Sequence, residues 1–391
     1  MRSQAPDSER RDRIRTALRS HRIDALVCSL PSQILLLTGF WPVMATSIAI
    51  FTAEGQVHLL VPEDEEELAE RTCRCERTSF RSAQLDTIVD AQTAIRSPLV
   101  DLIKKLHLNQ SRIGVESRQF LQPSSYAVMS LYLCGLQELL RSEFPTTEIV
   151  PADAILEELK TRKTAWELDR IRTTAKFAGS AFDAARTYIA PGMREAEVAS
   201  CFQAAFERTQ PAPDIQRSYG YFFCMSGPNA AKADAAYART RHRTIEQGDV
   251  VMVHCNTCAD GFWTDITRTY TAGQADAKQE NMHSAIMQAR QAAISAIKPG
   301  VQAKDVDRAA RDVLQHRGFG QQFKHATGHG VGFAAANHNA LPRIHPQSPD
   351  VLTAGMTFNI EPAIYFEGYG GMRHCDVVGI TSTGVEVFTD F

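Results

Sequence analysis

Four segments of this 391-residue chain set ionisable side chains inside otherwise apolar, strand-like runs. The first is Gly248-Asp249-Val250-Val251-Met252-Val253-His254-Cys255-Asn256, and the second is Phe262-Trp263-Thr264-Asp265-Ile266-Thr267-Arg268-Thr269-Tyr270. Asp260-Gly261 between them is a hairpin signal, because both central residues of the favoured two-residue turn need positive φ. Such a loop places Asn256 opposite Asp265, with His254 as the diagonal neighbour on the same face. That diagonal spans on the order of 7 Å at Cα, short enough for two side chains to share a metal ion. The third segment is His325-Ala326-Thr327-Gly328-His329-Gly330-Val331-Gly332, in which small residues let other backbone approach His329 closely. The fourth reads as a second hairpin: Phe358-Asn359-Ile360-Glu361-Pro362-Ala363-Ile364-Tyr365, a turn at Gly368–Gly371, then Met372-Arg373-His374-Cys375-Asp376-Val377-Val378. Pairing Phe366 with Met372 puts Ala363 opposite Cys375 and predicts Glu361, Arg373 and Cys375 on one face. An Asp, a Glu, two His and a Cys aimed inward from paired strands are costly to bury alone, and a metal would satisfy them.

The elements that must position these groups fall into two blocks. Residues 10–23 predict a helix, and Asp24–Cys28, Ser47–Phe51, Val57–Val61 and Ile113–Val115 predict strands, with a turn at Glu54-Gly55 and a helix over Leu99–Leu106. Strands alternating with helices suggest an open α/β sheet domain over residues 1–153. It has no glycine-rich phosphate loop and no cluster of catalytic side chains, so a structural or dimerising role is expected. The boundary falls near Pro151-Ala152-Asp153. A long amphipathic helix follows: Thr164 and Glu167 have capping-box spacing, and Leu168, Ile171, Ala175, Ala178, Phe182, Ala185 and Ile189 recur every three or four residues up to Pro191-Gly192. An internal echo runs through residues 154–391. Ile189-Ala190-Pro191-Gly192-Met193 and Val198 match Ile297-Lys298-Pro299-Gly300-Val301 and Val306, 108 residues on from Pro191 to Pro299. A duplicated unit of this kind predicts two pseudo-symmetric halves around a central cleft, a usual place for a site.

Composition excludes several classes. Hydrophobic content of 44% with 22% charged residues is globular, and the formal net charge of −3 asks for no nucleic acid. Arg239, Arg241, His242 and Arg243 form the densest basic run, which reads as a solvated loop. The polar start of the sequence has no apolar core of a signal peptide, and Ile34–Leu37 is broken by Gly39 and Pro42 before it could span a bilayer. No membrane partner is expected. Nine scattered cysteines read as reduced thiols in a cytoplasm. Cys73-x-Cys75 and Cys255-x-x-Cys258 are closely spaced, but they lie in different domains and so do not make a four-cysteine zinc site.

The motifs resemble the signature blocks of the pita-bread metallopeptidases: prolidase, aminopeptidase P, methionine aminopeptidase and creatinase. The blocks are Ser226-Gly227-Pro228-Asn229, Gly248-Asp249, Asp265-Ile266-Thr267-Arg268-Thr269, Gly328-His329-Gly330-Val331-Gly332, Ile360-Glu361-Pro362 and Gly371-Met372-Arg373, in the family's order. Asp24-Ala25-Leu26-Val27 and Leu36-Leu37-Thr38-Gly39-Phe40 resemble the non-catalytic domain of the same proteins. The resemblance implies an α+β chain: an N-terminal α/β creatinase-type domain and a C-terminal pita-bread domain with pseudo-two-fold symmetry, associated as a homodimer. It also implies two divalent metals on five ligands, of which three fall on Asp265, His329 and Glu361. The other two, an Asp and a Glu in the family, are His254 and Cys375 here. His325 matches a substrate-binding histidine, Arg373 matches the family arginine, and His338 and Tyr237 stand near two further substrate positions.

Loss of two carboxylates removes charge that a pair of hard cations needs, whereas His and Cys suit zinc. One metal is therefore expected, zinc ahead of manganese, held by some set of His254, Asp265, His329, Glu361 and Cys375. Glu361 would be the general base if it is not a tight ligand, with His325 and His338 on the carbonyl or developing anion. The favoured reading is an Xaa-Pro peptidase-like hydrolase of a small peptide or amide. The alternatives are a creatinase-like, metal-independent C–N hydrolase and a binding protein with a degenerate site.

Overall fold

Short, mostly apolar strands build the first sheet: Ala25–Cys28, Ile48–Thr52 and Val57–Pro62 are buried at every position and rich in Val, Ile and Leu. The computed structural model describes residues 7–43, 46–82, 88–117, 134–209, 214–234, 239–335 and 340–391. Contacts divide the chain into two units, Met1–Lys160 and Thr161–Phe391. The first unit takes in most of the helix Asp153–Thr161, beyond the boundary read at Pro151-Ala152-Asp153. Leu156 and Leu159 of that helix are buried, and Leu159 O accepts from Arg10 Nη1 at 2.6 Å within the first unit.

In the first unit a six-stranded mixed sheet has Ala25–Cys28 near its centre. On one side follow Ile48–Thr52 and Val57–Pro62, antiparallel, and then Glu76–Phe80; on the other lie Arg112–Val115 and Glu148–Pro151, parallel. Helices Ala91–Lys105 and Cys134–Glu143 contribute to the core, with Leu99, Ile103 and Leu140 inside. Pro31–Thr38, read from sequence only as an apolar segment, is a helix with Pro at its first turn and Gly39 in the left-handed region after it. Buried Glu116 accepts from the backbone N–H groups of Ser29 and Leu30, meeting the donors at that helix's start.

The second unit carries the duplication. Helix Ala165–Ala185 begins in a complete Thr164/Glu167 capping box, and is followed by helix Glu195–Arg208 and the antiparallel strands Ser218–Ser226, Val250–Ala259 and Phe262–Thr271. Helices Ala277–Ala296 and Ala303–His316 repeat the helix pair, followed by Thr357–Ile360, Ala363–Phe366, Gly370–Arg373, Asp376–Ile380 and Val385–Val387. The echo is structural at its centre. Gly192 and Gly300 have φ of +91° and +90°, and each donates to a strand-like partner, Ile245 O at 2.9 Å and Leu352 O at 2.8 Å. The long helix stops at Ala185, short of the expected Ile189, and Arg186–Tyr188 tighten into a 3₁₀ turn before Pro191.

Turn chemistry leads to an expected register for two hairpins, and only the first matches. Val250–Ala259 pairs with Phe262–Thr271 with Asn256 opposite Asp265 and Ala259 opposite Phe262, as expected. In the second hairpin Phe366 pairs with Gly370 and Ala363 with Arg373, two residues from the expected pairing. The loop is only Glu367-Gly368-Tyr369, closed by Tyr369 N–H to Phe366 O at 3.1 Å with Gly368 at φ +73°.

Charge burial locks the last strands onto the site. Asp376 is fully buried and accepts from Arg268 Nη2 at 2.9 Å and Thr389 Oγ1 at 2.8 Å, with Arg290 Nε on its other oxygen. Breaking a buried pair from one side leaves an uncompensated charge, which costs on the order of 3–5 kcal/mol. Asp376→Ala is therefore expected to lower unfolding stability by about that amount, read from urea melts; a loss below about 1 kcal/mol would contradict it.

Candidate active site

Three retained residues converge because three separate segments are pinned around them. Asp265 lies mid-strand and is almost wholly buried. His329 sits in a loop whose glycines admit two other backbones: a Cβ on Gly328 would meet Asn359 O at 1.9 Å, and one on Gly330 would meet Leu341 O at 2.1 Å. Asp307 holds the same loop by accepting from Thr327 N–H at 3.0 Å and Thr327 Oγ1 at 2.8 Å. Glu361 follows strand Thr357–Ile360, with its N–H on Thr327 O at 2.8 Å. The result places His329 Nε2 3.6 Å from Asp265 Oδ2 and 4.0 Å from Glu361 Oε1.

His254 and Cys375 face the same carboxylate. His254 Nδ1 is 3.7 Å and Cys375 Sγ 3.8 Å from Asp265 Oδ1. Thr267 Oγ1 stands between His254 Nδ1 and Arg373 Nε, 3.0 Å from each, and the His254 ring stacks on Phe223. Cys375 donates its S–H to Asp265 O at 3.2 Å. Burial pushes its thiol well above the usual range, and the carboxylates of Asp265 and Glu361 push further. Arg373 Nη1 lies 3.8 Å from Glu361 Oε2. Burial works against its charge, but Tyr365, Glu361, Cys375 and Asp265 around it hold the guanidinium above its ordinary value.

His325 stands one residue further out. Its Nε2 meets Tyr365 Oη at 3.0 Å and its Nδ1 meets Ala326 O at 2.8 Å. Tyr365 is buried and pushed above a free phenol by that burial. Its electrostatic partners Arg373 and Glu361 connect it to the centre of the site. Sequence reasoning missed Tyr365 and Asn359, although both stood in the Phe358–Tyr365 segment. Asn359 Oδ1 accepts from His329 N–H at 2.6 Å, and its Nδ2 lies 3.2 Å from His329 Nε2. Tyr237 and His338 lie outside the described residues.

The fit to a metal is partial. His329 Nδ1 reaches Gly330 O at 3.1 Å, and donation there leaves Nε2 the acceptor, which Asn359 Nδ2 approaches at 3.2 Å; this is the tautomer a metal-binding histidine needs. Carboxylate, imidazole and thiol donors together suit one zinc-like ion. Yet among the described residues no group of three or more His, Cys, Asp or Glu side chains could hold an ion as placed. Side-chain closure is required for an ion to be held here.

Residues 169–382 match the Metallopeptidase family M24, and residues 10–161 match the Creatinase/Prolidase N-terminal domain. The Xaa-Pro dipeptidase of Pyrococcus furiosus is 27% identical over 97% of both chains. The probable dipeptidase PepE of Mycobacterium tuberculosis is 35% identical over 60% of each. Among solved structures, the prolidase of Pyrococcus horikoshii superposes with a TM-score of 0.78 at 24% identity, covering 98% of both chains. The prolidase of Pyrococcus furiosus superposes at 0.74 and 25% identity, covering 96% of this chain and 99% of its own. The α+β pita-bread architecture expected from the motifs is thus the fold of these neighbours. The chain belongs to metallopeptidase family M24, an enzyme of the peptidase type with a creatinase/prolidase N-terminal domain.

Proposed function

We propose that the chain hydrolyses the peptide bond of a small Xaa-Pro-type peptide, or a related amide, at an altered site that takes one divalent ion, zinc ahead of manganese. The observation that carries this reading is the placement of the Asp265 and Glu361 carboxylates within 4.0 Å of His329 Nε2, while His254 and Cys375 both face Asp265. Asp265 and His329 would hold the ion, with Glu361, His254 or Cys375 completing the set. When bound, the ion supplies Lewis-acid polarisation of the scissile carbonyl and acidifies water. Where His254 or Cys375 completes the set and Glu361 is not a tight ligand, its carboxylate, beside Arg373, takes the proton from the attacking water and hands it to the leaving amine. Arg373 provides a fixed positive charge for a developing anion. Tyr365 and His325 form a hydrogen-bonded pair that can orient the carbonyl end of the substrate. Tyr237 and His338 are proposed as further substrate contacts.

Metal analysis of the purified protein tests this directly. We expect fewer than two equivalents per chain, with zinc exceeding manganese, and Asp265→Ala or His329→Ala to abolish retention. Two tightly held manganese ions per chain would overturn it. A metal-independent C–N hydrolase is the second reading, favoured by the posture of His254. Its Nδ1 is held by Thr267 and its ring is stacked on Phe223, as suits a proton-transferring histidine. Unchanged turnover of dipeptide after exhaustive chelation would select it.

We also infer that the protein is a cytoplasmic homodimer, supported by a 160-residue first unit for which the proposed hydrolysis has no catalytic use. Among the described residues no helix is long and apolar enough to cross a membrane. Sedimentation of a monomer at micromolar concentration would remove the dimer.

A further inference from the structure

The first unit contains a thiol pair that peptide hydrolysis does not use. Cys73 ends helix Glu66–Thr72 in an extended conformation, φ −125° and ψ 153°. Cys75 follows two residues on, at a bend just before strand Glu76–Phe80. Their sulfurs stand 3.5 Å apart. Both line a cavity of about 730 Å³ whose walls include Arg11, Arg74 and Arg77. Arg77 Nε is buried there without a hydrogen-bond partner.

This surrounding separates the two thiols chemically. The contact with Cys75 lowers Cys73 below an ordinary thiol; burial opposes this, and the positive charge of Arg77 assists it. The same contact, with burial, pushes Cys75 well above one. Cys73, whose S–H donates to Ala69 O at 3.1 Å, is thus the sulfur that gives up its proton ahead of Cys75, the arrangement of a nucleophilic sulfur beside a resolving one. Cys28, Cys224, Cys255, Cys258 and Cys375 are instead buried and all pushed upward, chiefly by that burial.

We propose that Cys73 and Cys75 form a hydroperoxide-oxidisable dithiol. Cys73 is only 2% exposed, so the reagent must be small enough to enter through the cavity, as a hydroperoxide is. The Cys73 thiolate attacks the terminal peroxide oxygen and the O–O bond breaks. Cys73 becomes a sulfenic acid, and the departing alkoxide or hydroxide takes a proton from water. Cys75 sulfur then attacks Cys73 sulfur, forming the S–S bond. The sulfenic oxygen leaves as water with the proton of the Cys75 thiol. Two thiols and one hydroperoxide give one disulfide, one alcohol (or water) and one water. Little motion is needed, from 3.5 Å to the roughly 2.05 Å of a disulfide.

The test uses reduced full-length protein treated with equimolar hydrogen peroxide, alkylated, and mapped by non-reducing peptide mass spectrometry. Wild type should form the Cys73–Cys75 disulfide before any other cysteine is modified, and dithiothreitol should reverse it. Cys75→Ser should leave a sulfenic acid on Cys73 that dimedone traps, whereas Cys73→Ser should leave Cys75 unlabelled. Arg77→Gln should slow oxidation about tenfold, the thiolate losing its nearby charge. If both cysteines of the wild type remain free thiols while others oxidise, or if dimedone labels Cys75 first, the proposal fails. Wild-type mapping alone decides the first of these, independently of whether any variant folds and of peptidase activity.

Discussion

Glu361→Gln is expected to reduce turnover of an Xaa-Pro dipeptide by about 10²–10⁴-fold, the range for removing a positioned general base. The amide preserves the volume of the carboxylate, and the backbone N–H of residue 361 still reaches Thr327 O. What disappears is a group able to accept a proton near neutral pH. Because the side chain touches His329 at 4.0 Å and Arg373 at 3.8 Å, it stands where water and carbonyl would meet. The loss should therefore appear in kcat more than in KM. Thermal unfolding of the variant should stay cooperative with a midpoint lowered by a few degrees, since buried Arg373 loses a counter-charge 3.8 Å away. A variant that keeps more than a tenth of wild-type kcat would remove Glu361 from the role of base.

Much of the site was legible because turn chemistry determines register. Asp260 and Gly261 both have positive φ, 45° and 88°, so the Asp-Gly pair read from sequence does close a two-residue loop and sets Asp265 against Asn256. The capping box at Thr164 was readable for a similar reason, since its two hydrogen bonds lie within four consecutive residues. The second hairpin was not, because four residues around Gly368–Gly371 allow several loops and only the folded chain selects the three-residue one. Its misread register still left Glu361, Arg373 and Cys375 in one site, since an error of two residues keeps each side chain on its own face. Asn359 and Tyr365 escaped notice for another reason. Their partners, His329 and His325, are 30 and 40 residues away in sequence, and no local spacing encodes those contacts.

Restoring the lost carboxylates is expected to convert the site. His254→Asp with Cys375→Glu places two new anionic side chains beside Asp265, with Glu361 close by across His329. Four carboxylates around one buried point cannot all remain ionised without counter-charge, so the pocket must take cations or protons. The two original side chains lie 3.7 and 3.8 Å from the same Asp265 oxygen, so the new oxygens approach it from both sides. Hard oxygen donors favour manganese, and bound manganese per chain should rise from below one equivalent to about two. Hydrolysis of Xaa-Pro dipeptide with added manganese should rise at least about tenfold, as a second ion joins in polarising the carbonyl. Either single change should give far less, because each supplies half the charge a second ion needs. Chelation should destabilise the double variant more than the wild type, since only the former buries a carboxylate cluster that requires cations. The comparison needs four proteins, each assayed for metal content and turnover under the same conditions. If the wild type already hydrolyses Xaa-Pro peptides well and the double variant gains neither metal nor rate, His254 and Cys375 are not replaced ligands, and the one-ion reading falls with them.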